Sequence, residues 1–292
     1  LRDSVAAHLV ADVPVGAFLS AGVDSGALVG LMRDAGANEI QTITIGFEEF
    51  RGAHEDETPL AGEVAALYGT RHTSRVVTRR EFEADLPKIL EAMDQPSIDG
   101  INTWFVSKAA CELGLKVAIS GLGGDELLGG YSSFRDVPRW TKLLKYPSRL
   151  PFVCFIARLI LQPLASRLDL NPKIAGMLAL GGDYPGSYFL KRGLFMPWEL
   201  EGVLGRDMLR RGLARLSLKP LISEALDPKP LHAFARVAAL ESSLYMRNQL
   251  LRDTDWASMA HSLEVRVPLV DSELLRVVAA ARRCAPAIVS GR

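Results

Sequence analysis

Between residues 1 and 119, short apolar runs alternate with stretches of helical spacing. Residues 13–19, 41–46, 72–77 and 116–119 read as strands, because they are β-branched or apolar over lengths too short for a helix. Residues 1–11, 24–35, 56–68, 80–93 and 103–113 read as helices, with Gly36 and Gly69 as stops. Strands separated by helices build βαβ units, so the expected fold class is α/β, a parallel sheet with helices on both faces. After Pro138 helical stretches dominate, punctuated by Pro147, Pro151, Pro163, Pro172, Pro185 and Pro197. The expectation is one domain over residues 1–292, with an α/β core over 1–136 and a mainly helical part over 137–292.

Charge and cysteine usage narrow the class of protein. Lys plus Arg is 34 and Asp plus Glu is 34, a balance that lends no support to a nucleic-acid or membrane-surface partner. Cys111, Cys154 and Cys284 are odd in number and scattered, which argues against a disulfide framework or a zinc site and for buried, reduced thiols in a cytoplasmic protein. The most apolar stretch, residues 150–164, is broken by Arg158 and bounded by Pro151 and Pro163; it is too short to span a bilayer and reads as a buried helix. No signal peptide is visible. The chain begins with Leu1 and stops at Arg292, and both ends read as boundaries of a piece cut from a longer protein.

Two strand-to-helix loops carry the candidate chemistry. The first holds Ser20, Ala21, Gly22, Val23, Asp24 and Ser25. Small residues let the backbone approach an anion, and a helix that starts here turns its N–H groups and dipole toward that anion. Ser20 and Ser25 can donate hydroxyls to phosphate oxygens. Asp24 would repel a phosphate, so its role is that of a ligand to Mg²⁺. No Gly-Lys-Ser/Thr follows, so this is not a Walker A loop. The second loop runs from Ser120 and Gly121 through Leu122, Gly123, Gly124, Asp125 and Glu126 to Gly129, Gly130 and Tyr131. Five glycines in ten positions are costly unless backbone must come close to a ligand or turn sharply. Asp125 is the natural second carboxylate for the same ion. A third segment contains Asp253, Asp255, Glu264, Arg266 and Asp271 interleaved with apolar residues; it reads as a buried ion-pair network that shapes a pocket wall. The five histidines and four tryptophans show no triad, metal or base-stacking arrangement and read as surface or packing residues.

The first loop resembles the pyrophosphate loop of the ATP pyrophosphatase superfamily, Ser-Gly-Gly-x-Asp-Ser, with Ala21 in place of a Gly. All three segments in this order resemble the synthetase domain of glutamine-dependent asparagine synthases. The likeness runs from Asp3, Ser4 and residues 12–16 to Pro268 and Asp271. It implies an adenine nucleotide α-hydrolase-like fold, ATP as substrate and Mg²⁺. It also implies activation of a carboxylate, aspartate in the first place, as an acyl-adenylate that ammonia attacks, releasing AMP and pyrophosphate. ATP contacts are then expected at Leu19, Ile45, Ser120 and Gly121. The pyrophosphate and its metal are expected at Ser20, Gly22, Asp24 and Ser25, with Asp125 completing the metal site and with Asp24 and Asp125 as the catalytic pair. Ammonia would come from a glutaminase domain of the parent chain; none of the three cysteines matches that domain's terminal nucleophile. A second copy of the chain is a further partner to consider.

Leu122 stands where the family commonly has Glu. That difference leaves open another acceptor carboxylate, including the intramolecular amide of β-lactam synthetases. Together with Ala21 it also leaves open a non-catalytic nucleotide-binding domain.

Overall fold

The computed structural model describes residues 1–97, 99–150 and 171–284, and residues 152, 155, 156, 159 and 161 between them. The described chain forms two compact units. The first comprises residues 1–128 and 246–292, the second residues 129–245. The division therefore differs from a single cut at 136/137: the C-terminal part returns to the α/β unit, and the reason is a fifth strand.

In the first unit the elements run α1 (Arg2–His8), β1 (Val15–Phe18), α2 (Val23–Asp34), β2 (Gln41–Phe47), α3 (Thr58–Leu67), β3 (Arg71–Val77), α4 (Arg79–Ala92), α5 (Gly100–Glu112), β4 (Val117–Ile119) and α6 (Gly124–Leu128). The five strands lie in the order β3-β2-β1-β4-β5, with every neighbouring pair parallel. Strand β5 (Glu264–Arg266) pairs with β4, Val117 against Glu264 and Ile119 against Arg266. It is three residues long, and its half-exposed alternation carries little of the apolar run that marks the other strands.

Successive side chains of a strand point to opposite faces, and each face here has its own core. Ala17, Leu19 and Ile119 pack with Val5 of α1, Leu28, Val29 and Met32 of α2, and Ala61 and Ala65 of α3. Phe18, Ile43 and Ala118 pack on the other face with Ala109 and Ala110 of α5 and with Leu263. Helices thus cover both faces, as the alternating pattern demands. Two glycines act as stops: Gly36 and Gly69 follow α2 and α3 with φ of 96° and 60°.

In the second unit α7 (Ser133–Leu144), α8 (Tyr184–Arg192), α9 (Leu218–Glu224) and α10 (Ala233–Leu240) surround Tyr188, Ile222, Leu226 and Leu240. Glu241, fully buried, accepts hydrogen bonds from Arg192 Nε at 3.0 Å, Tyr188 Oη at 3.2 Å and Ser133 Oγ at 2.5 Å. The Arg192 guanidinium lies over the rings of Tyr131 and Tyr245, 4.3 and 3.8 Å from their centroids.

Some expectations are corrected. Cys111 is exposed, because it sits on the solvent side of the last turn of α5; Cys154 lies outside the described residues, as does the side chain of Cys284. Of the apolar stretch 150–164, Phe152, Phe155 and Leu159 are exposed rather than buried, and most of the remainder lies outside the described residues. Apolar character alone does not place a side chain inside, since much of any folded surface is apolar. No helix among the described residues is long and apolar enough to cross a membrane.

The ion pairs that do organise the first unit lie elsewhere. Asp85 of α4, 3% exposed, accepts from Lys108 Nζ at 2.5 Å, Lys88 Nζ at 2.9 Å and Trp104 Nε1 at 3.3 Å. Burial pushes its carboxyl up, but these hydrogen bonds outweigh burial and hold it down at about 2. Folding therefore favours the charged form; the stabilisation is complete above the ordinary carboxyl range and is lost as pH falls through about 2. Asp85→Asn is expected to cost about 2–3 kcal/mol at neutral pH, and the gap should close as pH falls from about 4 toward 2. Urea denaturation of both proteins across that range checks this; a gap independent of pH would contradict it.

Candidate functional site

The order of the strands decides where a ligand can sit. From β1 the chain moves outward through β2 to β3, whereas β4 and β5 lie on the other side of β1. The direction of winding reverses between β1 and β4, and open parallel sheets bind ligands outside the carboxyl ends of their strands at such a point. The loops that follow β1 and β4 are the two glycine-containing loops singled out in the sequence, and the sheet makes them neighbours.

The first loop is held by its own hydroxyls. Ser25, 8% exposed, places Oγ 3.1 Å from the Gly22 carbonyl and 3.2 Å from the Ser20 carbonyl, and it accepts the Ser20 N–H at 3.2 Å. Ser20 Oγ lies 3.0 Å from Ser25 Oγ and accepts the Gly22 N–H at 3.1 Å. Gly22 is the N-cap of α2 and offers no side-chain oxygen to the first turn. The leading N–H groups of a twelve-residue helix thus have no side-chain cap at the switch point. Ala21 is tolerated because the loop turns without a positive φ there; Ser262 is the only non-glycine residue with positive φ among those described.

The second loop comes up against the first, and its glycines make that approach possible. A side chain at Gly121 would lie 3.0 Å from the Ser25 nitrogen, and one at Gly124 would lie 2.2 Å from Asp24 Oδ2. Gly123 adopts φ of 97°, a left-handed turn that favours glycine. The loop leaves β4 fixed by the fifth strand, since the Ser120 N–H donates to the Arg266 carbonyl at 2.9 Å.

Asp24 and Asp125 meet electrostatically. The Asp24 carboxyl is raised from its ordinary value, first by burial and then by the charge of Asp125. A carboxyl whose charge is disfavoured by burial and by a neighbouring carboxylate, beside uncapped helix N–H groups, would suit a bound cation. The donor set fits Mg²⁺, which takes one or two protein carboxylates and fills its shell with water and phosphate oxygens. Among the described residues no group of three or more His, Cys, Asp or Glu side chains gathers to hold a metal unaided.

The remaining expected residues divide. Leu19 is 2% exposed and packs into the core with α1–α3, so its side chain offers no wall to a ligand; its carbonyl accepts the Thr44 hydroxyl. Ile45 is half-buried near the end of β2. Leu122 is half-buried in the second loop, its N–H 3.4 Å from Ser120 Oγ. The third segment does not form one ion-pair network. Asp253 is buried but accepts from Ser97 Oγ and from Trp256 Nε1 at 3.0 Å; Asp255 is exposed; Glu264 is exposed and pairs at 2.7 Å with Arg266. Arg266 also donates to the carbonyls of His8 and Val10. Asp271 accepts the N–H groups of Glu273 and Leu274 at the start of the C-terminal helix, Ser272–Cys284. Asp253 and Asp255 lie on the helix Leu251–Met259, whereas Glu264 and Arg266 belong to β5 and Asp271 caps the next helix; the run Leu263, Val265, Val267 was the signal that sequence reasoning passed over. Thr44 also went unnoticed; one threonine in a β-branched strand carries no mark of its bond to the loop.

A model of the asparagine synthase family matches residues 1–283. The chain belongs to the asparagine synthase family. It is 29% identical over 281 residues to the glutamine-hydrolysing asparagine synthetase 1 of Bacillus subtilis, covering 95% of this chain and 42% of the relative. A Mycobacterium bovis relative, which carries the same enzyme name in provisional form, is 33% identical over 280 residues, 95% of this chain and 40% of its own. Asparagine synthetase B of Escherichia coli is 27% identical over 155 residues, 49% of this chain and 28% of its own. The chain thus spans about two fifths of the length of the first two relatives.

The mutual repulsion of the two aspartates generates a prediction about stability. Asp24→Asn is expected to stabilise the chain in EDTA at neutral pH, by on the order of 0.5 kcal/mol, the gain kept small by solvent screening. Thermal melts check it, and a clear loss of stability would contradict the arrangement.

Proposed function

We propose that this chain is the synthetase part of an asparagine-synthase-type amidotransferase, which uses ATP to activate a carboxylate, in the first place aspartate, for attack by ammonia. One observation carries the reading: at the switch point of the sheet the start of α2 has no side-chain cap, the loop at Gly124 comes up against the Asp24 carboxylate, and the charge of Asp125 acts on that carboxylate. The family match supports it.

In this reading the N–H groups at the start of α2, with Ser20, Gly22 and Ser25, hold the β- and γ-phosphates of ATP. Asp24 and Asp125 hold Mg²⁺, which when bound offsets charge on the leaving pyrophosphate. Ser120, Gly121 and the backbone of Leu19, with Ile45, receive the adenosine part. A carboxylate oxygen of the acceptor attacks the α-phosphorus, and the bond from that phosphorus to the bridging oxygen breaks, releasing pyrophosphate. Ammonia then attacks the acyl carbon, the carbon–oxygen bond to AMP breaks, and nitrogen gives up a proton. The ammonia comes from glutamine, hydrolysed by another part of the full-length protein.

Incubation of the full-length protein with ATP, Mg²⁺, aspartate and ammonia is expected to yield AMP and pyrophosphate in equal amounts; ADP and phosphate would exclude adenylation. Asp24→Asn should lower that rate by about 100-fold or more while the fold persists. Gly124→Ala should do nearly the same by displacing the Asp24 carboxylate.

Leu122 favours a second reading in which the acceptor is a carboxylate other than aspartate, because a leucine at this point carries neither charge nor proton. A panel of carboxylic acids read by pyrophosphate release separates the two. If aspartate is silent in the wild type and Leu122→Glu makes it active, the leucine sets the acceptor.

A further inference from the structure

The second unit contains a cavity of about 690 Å³ that the proposed chemistry does not use. Among the described residues its charged lining is Lys145, Arg149, Lys219, Lys229 and Arg236, with Asp183 as the one carboxylate. That volume is within the usual range for small-molecule sites.

The single carboxylate is already committed. Asp183 caps α8, accepting the Gly186 N–H at 2.9 Å through Oδ1, while Oδ2 pairs with Lys219. No carboxylate among the described residues forms an ion pair with Lys145, Arg149, Lys229 or Arg236. One of these cations, Arg236, is held in place rather than free to swing away. Arg236 donates through Nε to the Pro230 carbonyl at 2.8 Å and lies over the Tyr184 ring at 5.1 Å. Arg149 lies over the Tyr146 ring at 5.8 Å.

Like charges collected on a concave wall repel, and the repulsion is stronger there than on a convex surface because field lines are focused into the cleft. Such a wall is stable chiefly as a receptor for negative charge. A fixed guanidinium also suits planar, two-point recognition of phosphate or carboxylate. The apolar part of the wall, with Leu226 and the Tyr184 ring, can receive the uncharged portion of a ligand.

We infer that this cavity binds a small molecule bearing two or more phosphate or carboxylate groups. It is a site separate in sequence from the loops after β1 and β4, and it does not depend on the activity proposed for them.

The test is calorimetric titration of the chain with inorganic tripolyphosphate and, separately, citrate, both in EDTA at low salt. Without a divalent ion, Asp24 and Asp125 repel both probes, so the loops of the first unit stay silent. About one equivalent of anion is expected to bind. The double variant Lys145→Ala, Lys229→Ala should weaken it by about tenfold or more, whereas Lys142→Ala, on α7 but not in the wall, should leave it unchanged. Lys145→Gln with Lys229→Gln repeats the test with side-chain bulk retained. Tripolyphosphate bound in preference to citrate assigns a phosphorylated ligand, and the reverse assigns a polycarboxylate. Absence of binding by either anion, or equal binding by wild type and both double variants, would overturn the inference.

Discussion

The parallel pairing of β1 with β4 is the contact on which the candidate site rests. Val15 lies against Val117 and Ala17 against Ile119, so two loops about a hundred residues apart leave the sheet side by side. Every later feature follows from that pairing. Gly121 meets the backbone of Ser25, Gly124 meets the carboxylate of Asp24, and Asp125 comes close enough for its charge to act on Asp24. Were β4 on the far side of β3, the same two loops would be unrelated pieces of surface.

Glycine at 121 and 124 is therefore explained by protein rather than ligand. Both positions lie where one loop packs on another; a methyl group at 121 would press on the Ser25 backbone, and one at 124 would displace the Asp24 carboxylate. The strain remaining after this close approach is electrostatic, and it falls on Asp24. A carboxylate held partly buried beside a second one gives up some stability. The hydroxyl of Ser25, which bonds to carbonyls within its own loop, belongs with the parts that hold this arrangement in shape.

Much of this was legible from the residues. The first four strands and the helices between them follow from period and length, and each was found within a few residues of its position. Both loops were identifiable because small residues and an aspartate follow an apolar strand. Strand order was not legible, because it depends on which strands pair, and a βαβ pattern fits several orders. The fifth strand was missed because Glu264 and Arg266 are polar on a three-residue edge, and the same alternation suggested an ion-pair network. Leu19 was expected to line the pocket from its place before the loop, but alternation along β1 turns its side chain to the core beside Ala17. The cavity in the second unit was also hidden, since its cations are scattered from Lys145 to Arg236 and only the tertiary packing of that unit collects them.

Strand β5 sets a timetable for the making of the protein. Ser120, which opens the second loop, is anchored to the carbonyl of Arg266, and Val117 pairs with Glu264. During synthesis from the N-terminus, the strands β1 to β4 emerge long before their last neighbour. Until residues 264–266 leave the ribosome, β4 is an uncovered edge and its loop lacks one of its ties. The loop-bearing end of the sheet is thus completed only after residues 129–245 have been made, and pairing across so long a separation is slow in folding.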